Sequence, residues 1–530
     1  MSTRSKIWAI VLLSFILGVL IINVRYLYTT PVVNSWVWWR GDETWLMSQY
    51  AEFVRTGHYT NPLAPGSAFA QNSGILFGSC YLTASFYGLP LFFVHGHTIE
   101  IGRTISWLFG IAVLAVLWST LRRYQISLIL SLTGVLLLAS TLCFFVTSHG
   151  ARYDILVGLT ILLLTGYLPL LIEKNRTSLV ILGLLLPFSL LINGHVLVHV
   201  LLMLGYLLWI AGGFASVRSF LLWAGVAFGG IAIICFFQWI LLGSFSIMGP
   251  FTGASAMIPA MGILHPKSDL ANLAGRLHVA NLWAPGVVVL AIIIAITLIG
   301  KGAENRIWLS RMAEHTQRLI ISAALVIIAD LLFEFYQDRY FIYVLPTIIL
   351  AFIVLISELE TVLHGVPAKV FAFALAICIG FSLWHYWTNT ARLARTSEAI
   401  ATANSSAMHD ALATIHSHYP GHPRIFASVA GQAMTMDDSC DLITPVMYMQ
   451  PNEGWVTREE LWRRANINYA ITFTTKGGGD WDENDSTIEW SARSNAKIIF
   501  QRVGPFTDIV RAYAPSDDTL VDTLRVYEFR

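Results

Sequence analysis

Long apolar stretches separated by short polar segments dominate the first 390 residues. A membrane-spanning helix needs about 20 mostly apolar residues, and windows that meet this requirement occur about eleven times. They lie near residues 7–24, 101–120, 126–147, 153–172, 177–193, 196–214, 219–243, 282–300, 318–335, 341–357 and 368–387. This pattern predicts a polytopic α-helical membrane protein with about eleven transmembrane helices.

The periodicity changes from residue 391 onward. Alternating or β-branched runs, which are typical of strands, lie at 424–429, 468–474, 497–502, 508–513 and 524–529. A capping box, Thr457-x-x-Glu460, predicts a helix over 458–464. The pattern therefore predicts two domains, a transmembrane domain over 1–390 and a soluble α/β domain over 391–530.

Composition supports this division. Hydrophobic residues make up 56% of the chain and charged residues only 12%, whereas an average soluble domain is about 25% charged. From position 391 onward lie 18 of the 32 acidic residues but only 13 of the 33 Lys and Arg residues. The tail is therefore acidic and the apolar part basic. Three of the five cysteines lie in apolar windows, which argues against a disulfide framework. No nucleic-acid partner is expected.

Basic residues of short loops indicate the orientation in the membrane, because such loops stay cytoplasmic. With eleven spans, all the basic clusters of the apolar part fall on one side: Arg4 with Lys6, Arg122 with Arg123, Lys174 with Arg176, Arg218, Lys301 with Arg306 and Arg311, and Lys369. The N-terminus is then cytoplasmic, and the first external loop is long, over 25–100. The C-terminal domain would be periplasmic or extracellular, and the expected location is the plasma membrane, the inner membrane of a bacterium.

Polar clusters converge on the predicted external face. The first contains Asp42 and Glu43, two adjacent carboxylates shortly after the first apolar window. Asp42 also suits the N-cap of a short helix beginning near Thr44, so a structural role stays open. Ionisable groups at membrane depth normally face a wet cavity or a charged partner.

Two further clusters follow at the predicted external ends of later spans. One is His149-Gly-Ala-Arg152-Tyr-Asp154. In the other, Asp330, Glu334 and Asp338 share one helical stripe by their spacing. Asp338 is followed by Arg339, and a purely structural ion pair between these two explains them equally well.

The order of these clusters resembles the GT-C superfamily of membrane glycosyltransferases, and most of all its protein O-mannosyltransferase and lipid A aminoarabinose transferase branch. The resemblance covers most of 1–390 and, more loosely, the tail. The matching motifs are Asp42-Glu43 in the first external loop, Glu100-x-x-Arg103, His149-x-x-Arg152-x-Asp154, and Asp338-Arg339-Tyr340 followed by Pro346. Residues 70–74 depart from the His-Pro-Pro sequence of many relatives, which leaves the donor and acceptor open.

The resemblance implies transfer of a sugar, hexose or pentose, from a polyprenyl-phosphate donor to a hydroxyl of a lipid, glycan or protein, with inversion. A carboxylate within reach of the acceptor hydroxyl acts as general base, and Asp42 is the candidate, with Glu43 as its helper. Guanidinium groups bind phosphate in a bidentate manner. The candidates for the donor phosphate are Arg339, Arg152, Arg103 and Tyr340, supported by Asp154, His149, Asp338 and Glu334.

A metal and two other classes of function remain open from the sequence. Asp42, Glu43 and Asp154 are hard ligands suited to Mg²⁺ or Mn²⁺, although some members of the superfamily work without a metal. One alternative is a non-catalytic membrane assembly subunit with a degenerate site. The other is a transporter, which is disfavoured because the sequence has no convincing internal repeat.

Overall fold

The computed structural model describes most of the predicted helices and part of the tail. The described residues are 3–28, 47, 50, 81–94, 98–192, 194–214, 216–242, 280–281, 284–301, 312–331, 340–362, 366–427, 441–443, 449–450, 454–455, 468–474, 496–504 and 522–529. Within these ranges every helix ends by His418, and every strand begins at or after Arg424.

Seven α-helices come from the first part of the chain. They are α1 Thr3–Arg25, α2 Tyr81–Gly88, α3 Thr98–Arg123, α4 Leu128–Ala139, α5 Leu142–His149, α6 Asp154–Leu162 and α7 Leu168–Leu171. A 3₁₀ turn, Leu89–Phe92, follows α2, and a π-helical turn, Leu163–Tyr167, joins α6 to α7. Arg122 and Arg123 end α3, where cations stabilise the carbonyl end of a helix.

Eight more α-helices follow. They are α8 Arg176–Ile192, α9 Gly194–Ile210, α10 Val217–Leu242, α11 Pro285–Lys301, α12 Glu314–Leu331, α13 Phe341–Val362, α14 Val366–His385 and α15 Ala391–His418. A second π-helical turn, Tyr386–Thr390, joins α14 to α15, so the chain stays helical from Val366 to His418.

Several described helices are long and apolar enough to cross a membrane. Five stretches meet this condition by length and composition, namely Ser5–Arg25, Thr98–Arg123, Asp154–Leu171, Val217–Phe237 and Phe341–Glu360, and α4 with α5 makes a sixth if the pair is one span. The chain is an integral membrane protein. Each predicted apolar window overlaps a described helix, whereas the total of about eleven spans stays a prediction.

The predicted window 126–147 is a bent pair of helices rather than one straight helix. The axes of α4 and α5 differ by 64°. Thr141, between them, has an extended backbone, and its Oγ1 accepts the N–H of Phe144 at 3.1 Å as an N-cap of α5. The same hydroxyl donates to the Leu138 carbonyl at 2.8 Å. Side-chain bonds to the backbone therefore replace helical bonds at this point.

Close packing between α6 and α13 places their first turns side by side. A Cβ on Gly158 would lie 2.8 Å from the carbonyl oxygen of Ile342, so the two backbones approach closely because Gly158 has no side chain. Further along, Thr165 and Thr347 hydrogen bond through their hydroxyls at 2.9 Å. These contacts fix which side chains meet at the beginning of both helices.

A different set of contacts joins the opposite ends of these helices. Thr316, at the start of α12, donates to Glu358 near the end of α13 at 3.1 Å. Arg318 donates to the carbonyl of Ile172 at 3.4 Å, just after α7 ends. The guanidinium of Arg123 lies 4.2 Å from the ring centroid of Tyr167. Arg123, which belongs to a predicted cytoplasmic loop, therefore lies at this end together with Arg318.

The tail forms a five-stranded mixed sheet with the order β2-β1-β5-β7-β6. Its strands are β1 Arg424–Ala427, β2 Asp441–Ile443, β5 Tyr469–Thr474, β6 Lys497–Gly504 and β7 Asp522–Glu528, and β3 Met449–Gln450 pairs separately with β4 Gly454–Trp455. β1 is parallel to β2 and β5, and β7 is antiparallel to β5 and β6. Four of the five predicted strands coincide with β1, β5, β6 and β7.

Helix α15 contacts β6 and β7. It buries Ala407, Met408, Ala411 and Ile415, whose spacing puts them on one face of the helix. The predicted domain boundary at 390/391 falls where the π-helical turn meets α15, and the division into two domains stays a prediction. The predicted strand 508–513 and the predicted helix 458–464 lie outside the described residues.

Candidate functional site

A buried ion pair stands at the junction of α5 and α6. Arg152 Nε donates to Asp154 Oδ2 at 2.8 Å, and the two side chains are only 10% and 3% exposed. Asp154 is the first residue of α6, where a negative charge is favourable to the helix dipole. Such a pair is weak evidence for stability, because desolvation offsets most of the attraction. It does hold the guanidinium in one orientation.

Tyr343 completes the coordination of this carboxylate from α13. Its hydroxyl donates to Asp154 Oδ1 at 2.7 Å, so both carboxylate oxygens accept a hydrogen bond. The ring of Tyr340 stacks on that of Tyr343, with centroids 5.0 Å apart and an interplanar angle of 23°. Tyr340 therefore reaches the Arg152–Asp154 pair through Tyr343.

The backbone of Arg152 is held by two hydroxyl groups. Tyr87 donates to the Arg152 carbonyl at 2.5 Å, and Ser106 donates to the same oxygen at 3.1 Å. The Arg152 N–H donates to Ser106 Oγ at 3.3 Å. Tyr87 comes from α2 and Ser106 from α3, and both are almost fully buried. Two helices, α2 and α3, thus fix the backbone of this arginine.

His149 and Arg103 lie beside this pair. Arg103 is 2% exposed and His149 is 1% exposed, and Arg103 is close enough to His149 for a Coulombic interaction. The neighbouring Gly102 faces Ala151, because a Cβ on Gly102 would lie 2.6 Å from the Cβ of Ala151. One face of α3 therefore packs against the segment that carries Arg152.

The structure brings together five of the predicted site residues: Arg103, His149, Arg152, Asp154 and Tyr340. The other five are Asp42, Glu43, Glu334, Asp338 and Arg339, which all lie outside the described residues. Their convergence on the same pocket stays a prediction.

Sequence reasoning missed three residues of the site. Tyr343 stands three positions after Tyr340 on the same helix face, and this spacing is the one signal that points to it. Tyr87 and Ser106 donate hydrogen bonds to a backbone carbonyl, and no sequence pattern predicts that kind of contact.

Asp154 anchors Arg152, whereas Asp42 and Glu43, the other members of the predicted metal site, lie outside the described residues, so that metal site stays a prediction. One oxygen of Asp154 accepts from a cation and the other from a phenol. Among the described residues, no group of three or more His, Cys, Asp and Glu side chains could hold a metal ion.

Taken together, the fold and this cluster define an integral membrane protein that holds a buried arginine–carboxylate pair at one end of its helices. No known family and no curated protein matches the sequence. The solved structures that are similar to it include two of ArnT from Cupriavidus metallidurans. The one bound to undecaprenyl phosphate has 10% identity and a TM-score of 0.48, covering 99% of this chain and 98% of that chain. The one in the apo state has 10% identity and a TM-score of 0.44, covering 98% of both chains.

Both similarities extend over nearly the whole chain. At this identity they transfer no residue roles to the chain.

Proposed function

We propose that the protein is a glycosyltransferase that moves a sugar from a polyprenyl-phosphate donor to a hydroxyl acceptor on the extracytoplasmic side of the membrane. The observation that carries the proposal is the buried Arg152–Asp154 pair, oriented by Tyr343 and flanked by Arg103. Guanidinium groups at the end of apolar helices suit a phosphate whose hydrocarbon chain lies in the bilayer.

The proposed reaction is a single displacement. The acceptor oxygen forms a bond to the anomeric carbon, and its proton passes to the Asp42 carboxylate. The bond between the anomeric carbon and the phosphate oxygen breaks, and its electron pair stays on the phosphate. Arg152, Arg103 and Arg339 stabilise the growing negative charge, which requires no general acid. Attack opposite the leaving group inverts the anomeric configuration.

Within this proposal, Asp154 and Tyr343 orient a phosphate-binding arginine. The carboxylate fixes Nε of Arg152, while Tyr87 and Ser106 fix its backbone. Because Arg152 is already fixed at Nε and at its backbone, it loses little conformational entropy when it binds its ligand, and this pre-organisation favours binding. Glu43 serves as the helper of Asp42, and Asp42, Glu43 and Asp154 would be the ligands if the site holds Mg²⁺ or Mn²⁺.

The orientation is also proposed. The N-terminus is cytoplasmic and the C-terminal sheet lies outside, in the periplasm or extracellular space, because the basic loop residues share one side. Reporter fusions at the two ends test this orientation. If a C-terminal reporter that works only in the cytosol is active, the proposed site lies on the wrong side of the membrane and the proposal is overturned.

The first test measures phosphate recognition with purified full-length protein. The probes are undecaprenyl phosphate and undecaprenol, which differ only in the phosphate. The wild-type protein should bind the phosphate form more tightly, by about tenfold or more, as expected for a charge-assisted arginine contact. Equal affinity for both lipids would overturn the proposal.

The second test measures transfer from labelled polyprenyl-phosphate sugars in vesicles. Asp42→Asn should lower the transfer rate by about 10²- to 10⁴-fold, the usual contribution of a general base. Asp410→Asn is the matched control, because it makes the same chemical change at an exposed site. An Asp42→Asn rate equal to wild type would make Asp42 a helix cap. A protein that binds the lipid but transfers none of the sugars tested would be a non-catalytic subunit.

A further inference from the structure

A second buried polar group links the first and the last membrane helices beside the site. Asn23, near the end of α1, donates from Nδ2 to the hydroxyl of Tyr386 at 3.2 Å and to the Val19 carbonyl at 2.8 Å. The Tyr386 hydroxyl donates to the same carbonyl at 3.2 Å. Asn23 is fully buried, and Tyr386 is 2% exposed.

This group reaches the site through His149. The Nε2 atom of His149 lies 2.8 Å from the backbone carbonyl oxygen of Asn23. The other ring nitrogen, Nδ1, lies 2.6 Å from the backbone carbonyl oxygen of Phe145. His149 stands three residues before Arg152, at the end of α5, and its ring stacks on that of Phe145 with centroids 4.0 Å apart. A chain of contacts therefore runs from Tyr386 through Asn23 to His149.

Burying the side-chain amide of Asn23 lowers the stability of the protein. Its Oδ1 is buried and has no hydrogen-bond partner among the residues that the structure describes. Leaving a buried polar atom unpaired costs free energy, and an apolar side chain at this position would avoid that cost. The Nδ2 donor to Tyr386 is the contact that an apolar residue would lose. Such exceptions in a well-packed interior call for a role beyond packing.

The backbone at Tyr386 departs from a regular helix. The turn Tyr386–Thr390 is π-helical between α14 and α15, and Tyr386 and Thr390 are both buried. Single π turns inside α-helices occur frequently at functional sites. Here the turn lies where the Tyr386 hydroxyl meets α1.

We propose that Tyr386 is a positioning residue for the donor phosphate. Through Asn23 and His149 it sets the position of the 149–152 segment, and therefore of the Arg152 guanidinium. This role rests on the proposed function, because it assumes that Arg152 binds the phosphate of the lipid. In the part of the chain that the structure describes, the Tyr386 hydroxyl contacts the Asn23 amide and the Val19 carbonyl.

The test uses Tyr386→Phe in the full-length protein, which removes one hydroxyl and keeps the ring. Tyr28→Phe is the matched control, since Tyr28 is exposed and its hydroxyl hydrogen bonds to the hydroxyl of Thr104 at 2.8 Å. The readout is phosphate selectivity, the ratio of the dissociation constants for undecaprenol and undecaprenyl phosphate. Tyr386→Phe should lower this ratio about fivefold, the effect of one lost hydrogen bond, and Tyr28→Phe should leave it unchanged.

A structural role alone would weaken the binding of both lipids equally and leave the ratio intact, and this result would overturn the proposal. A second measurement does not depend on the lipid. Hydrogen exchange of backbone amides in 142–154 should be faster in Tyr386→Phe than in Tyr28→Phe, because the anchor of His149 is loosened. Unchanged exchange would also overturn the link. If the wild-type protein fails to distinguish the two lipids, the proposed function fails, while the exchange result still decides whether Tyr386 holds the segment.

Discussion

Tyr343 donates a hydrogen bond to Asp154 at 2.7 Å, and this contact between residues 189 positions apart joins the first turns of α6 and α13. The same carboxylate accepts from Arg152 on its other oxygen. The orientation of the arginine therefore depends on the register between α6 and α13. A change in that register would move the Asp154 carboxylate, and with it the Arg152 guanidinium.

The hydroxyl of Tyr343 can be removed without disturbing its ring. Tyr343→Phe should lower the free energy of unfolding in detergent by about 1.5–3 kcal/mol, the usual worth of a hydrogen bond to a charged group. The stacking on Tyr340 is retained, so the fold should persist. Phosphate selectivity, measured with the same two lipids, should fall as well. A variant as stable and as selective as wild type would show that Asp154 needs no second donor.

Variants of the Arg152–Asp154 pair distinguish its effect on stability from its effect on lipid binding. Asp154→Asn leaves the buried charge of Arg152 without its anion and should destabilise the protein by about 3–5 kcal/mol. The double variant Arg152→Met with Asp154→Leu removes both charges and should regain most of this loss. It should still have no preference for undecaprenyl phosphate over undecaprenol. Thermal unfolding and lipid binding on the same preparations check both statements, and a double variant that keeps the preference would contradict the role of Arg152.

The sequence predicted the ends of the helices and the polar residues at those ends better than it predicted their partners. His149, Arg152 and Asp154 could be identified because they interrupt an apolar pattern at one end of a window. Tyr343 could not, because its contact with Asp154 depends on how closely α6 and α13 approach. That approach is set by tertiary packing, such as the contact of Gly158 with the Ile342 backbone.

The bend between α4 and α5 is a second feature that the pattern does not contain. Ser140 and Thr141 stand at the break, and neither proline nor glycine marks it. Both hydroxyls bond to carbonyls of the preceding turn, at 3.2 Å for Ser140 and 2.8 Å for Thr141. Serine and threonine can make such bonds within a helix or at its end. The sequence alone is therefore compatible with one straight helix or with a bent pair.

The close approach at Gly158 gives a direct test of the register. Gly158→Ala would place a Cβ 2.8 Å from the Ile342 carbonyl oxygen, which is backbone and cannot rotate away. The helices must move apart, and the cost should be about 1–3 kcal/mol of stability. Gly205→Ala is the matched control, because a Cβ there has nothing within 4 Å. It should be neutral or stabilising by up to about 1 kcal/mol, since alanine favours helix. Equal effects of the two substitutions would argue against close packing of α6 on α13.

The ion pair between α15 and the sheet should contribute little. Arg502 Nη1 lies 2.7 Å from Asp410 Oδ2, but the two side chains are 39% and 53% exposed. Exposed pairs are worth about 0–1 kcal/mol, because water and salt screen the attraction and both side chains lose freedom. Arg502→Met should therefore change the unfolding free energy by less than about 1 kcal/mol. The difference should shrink further as salt is raised, and this is measured by denaturant unfolding at low and high ionic strength. A loss of several kcal/mol that persists in high salt would mean that Arg502 holds α15 to the sheet by packing rather than by charge.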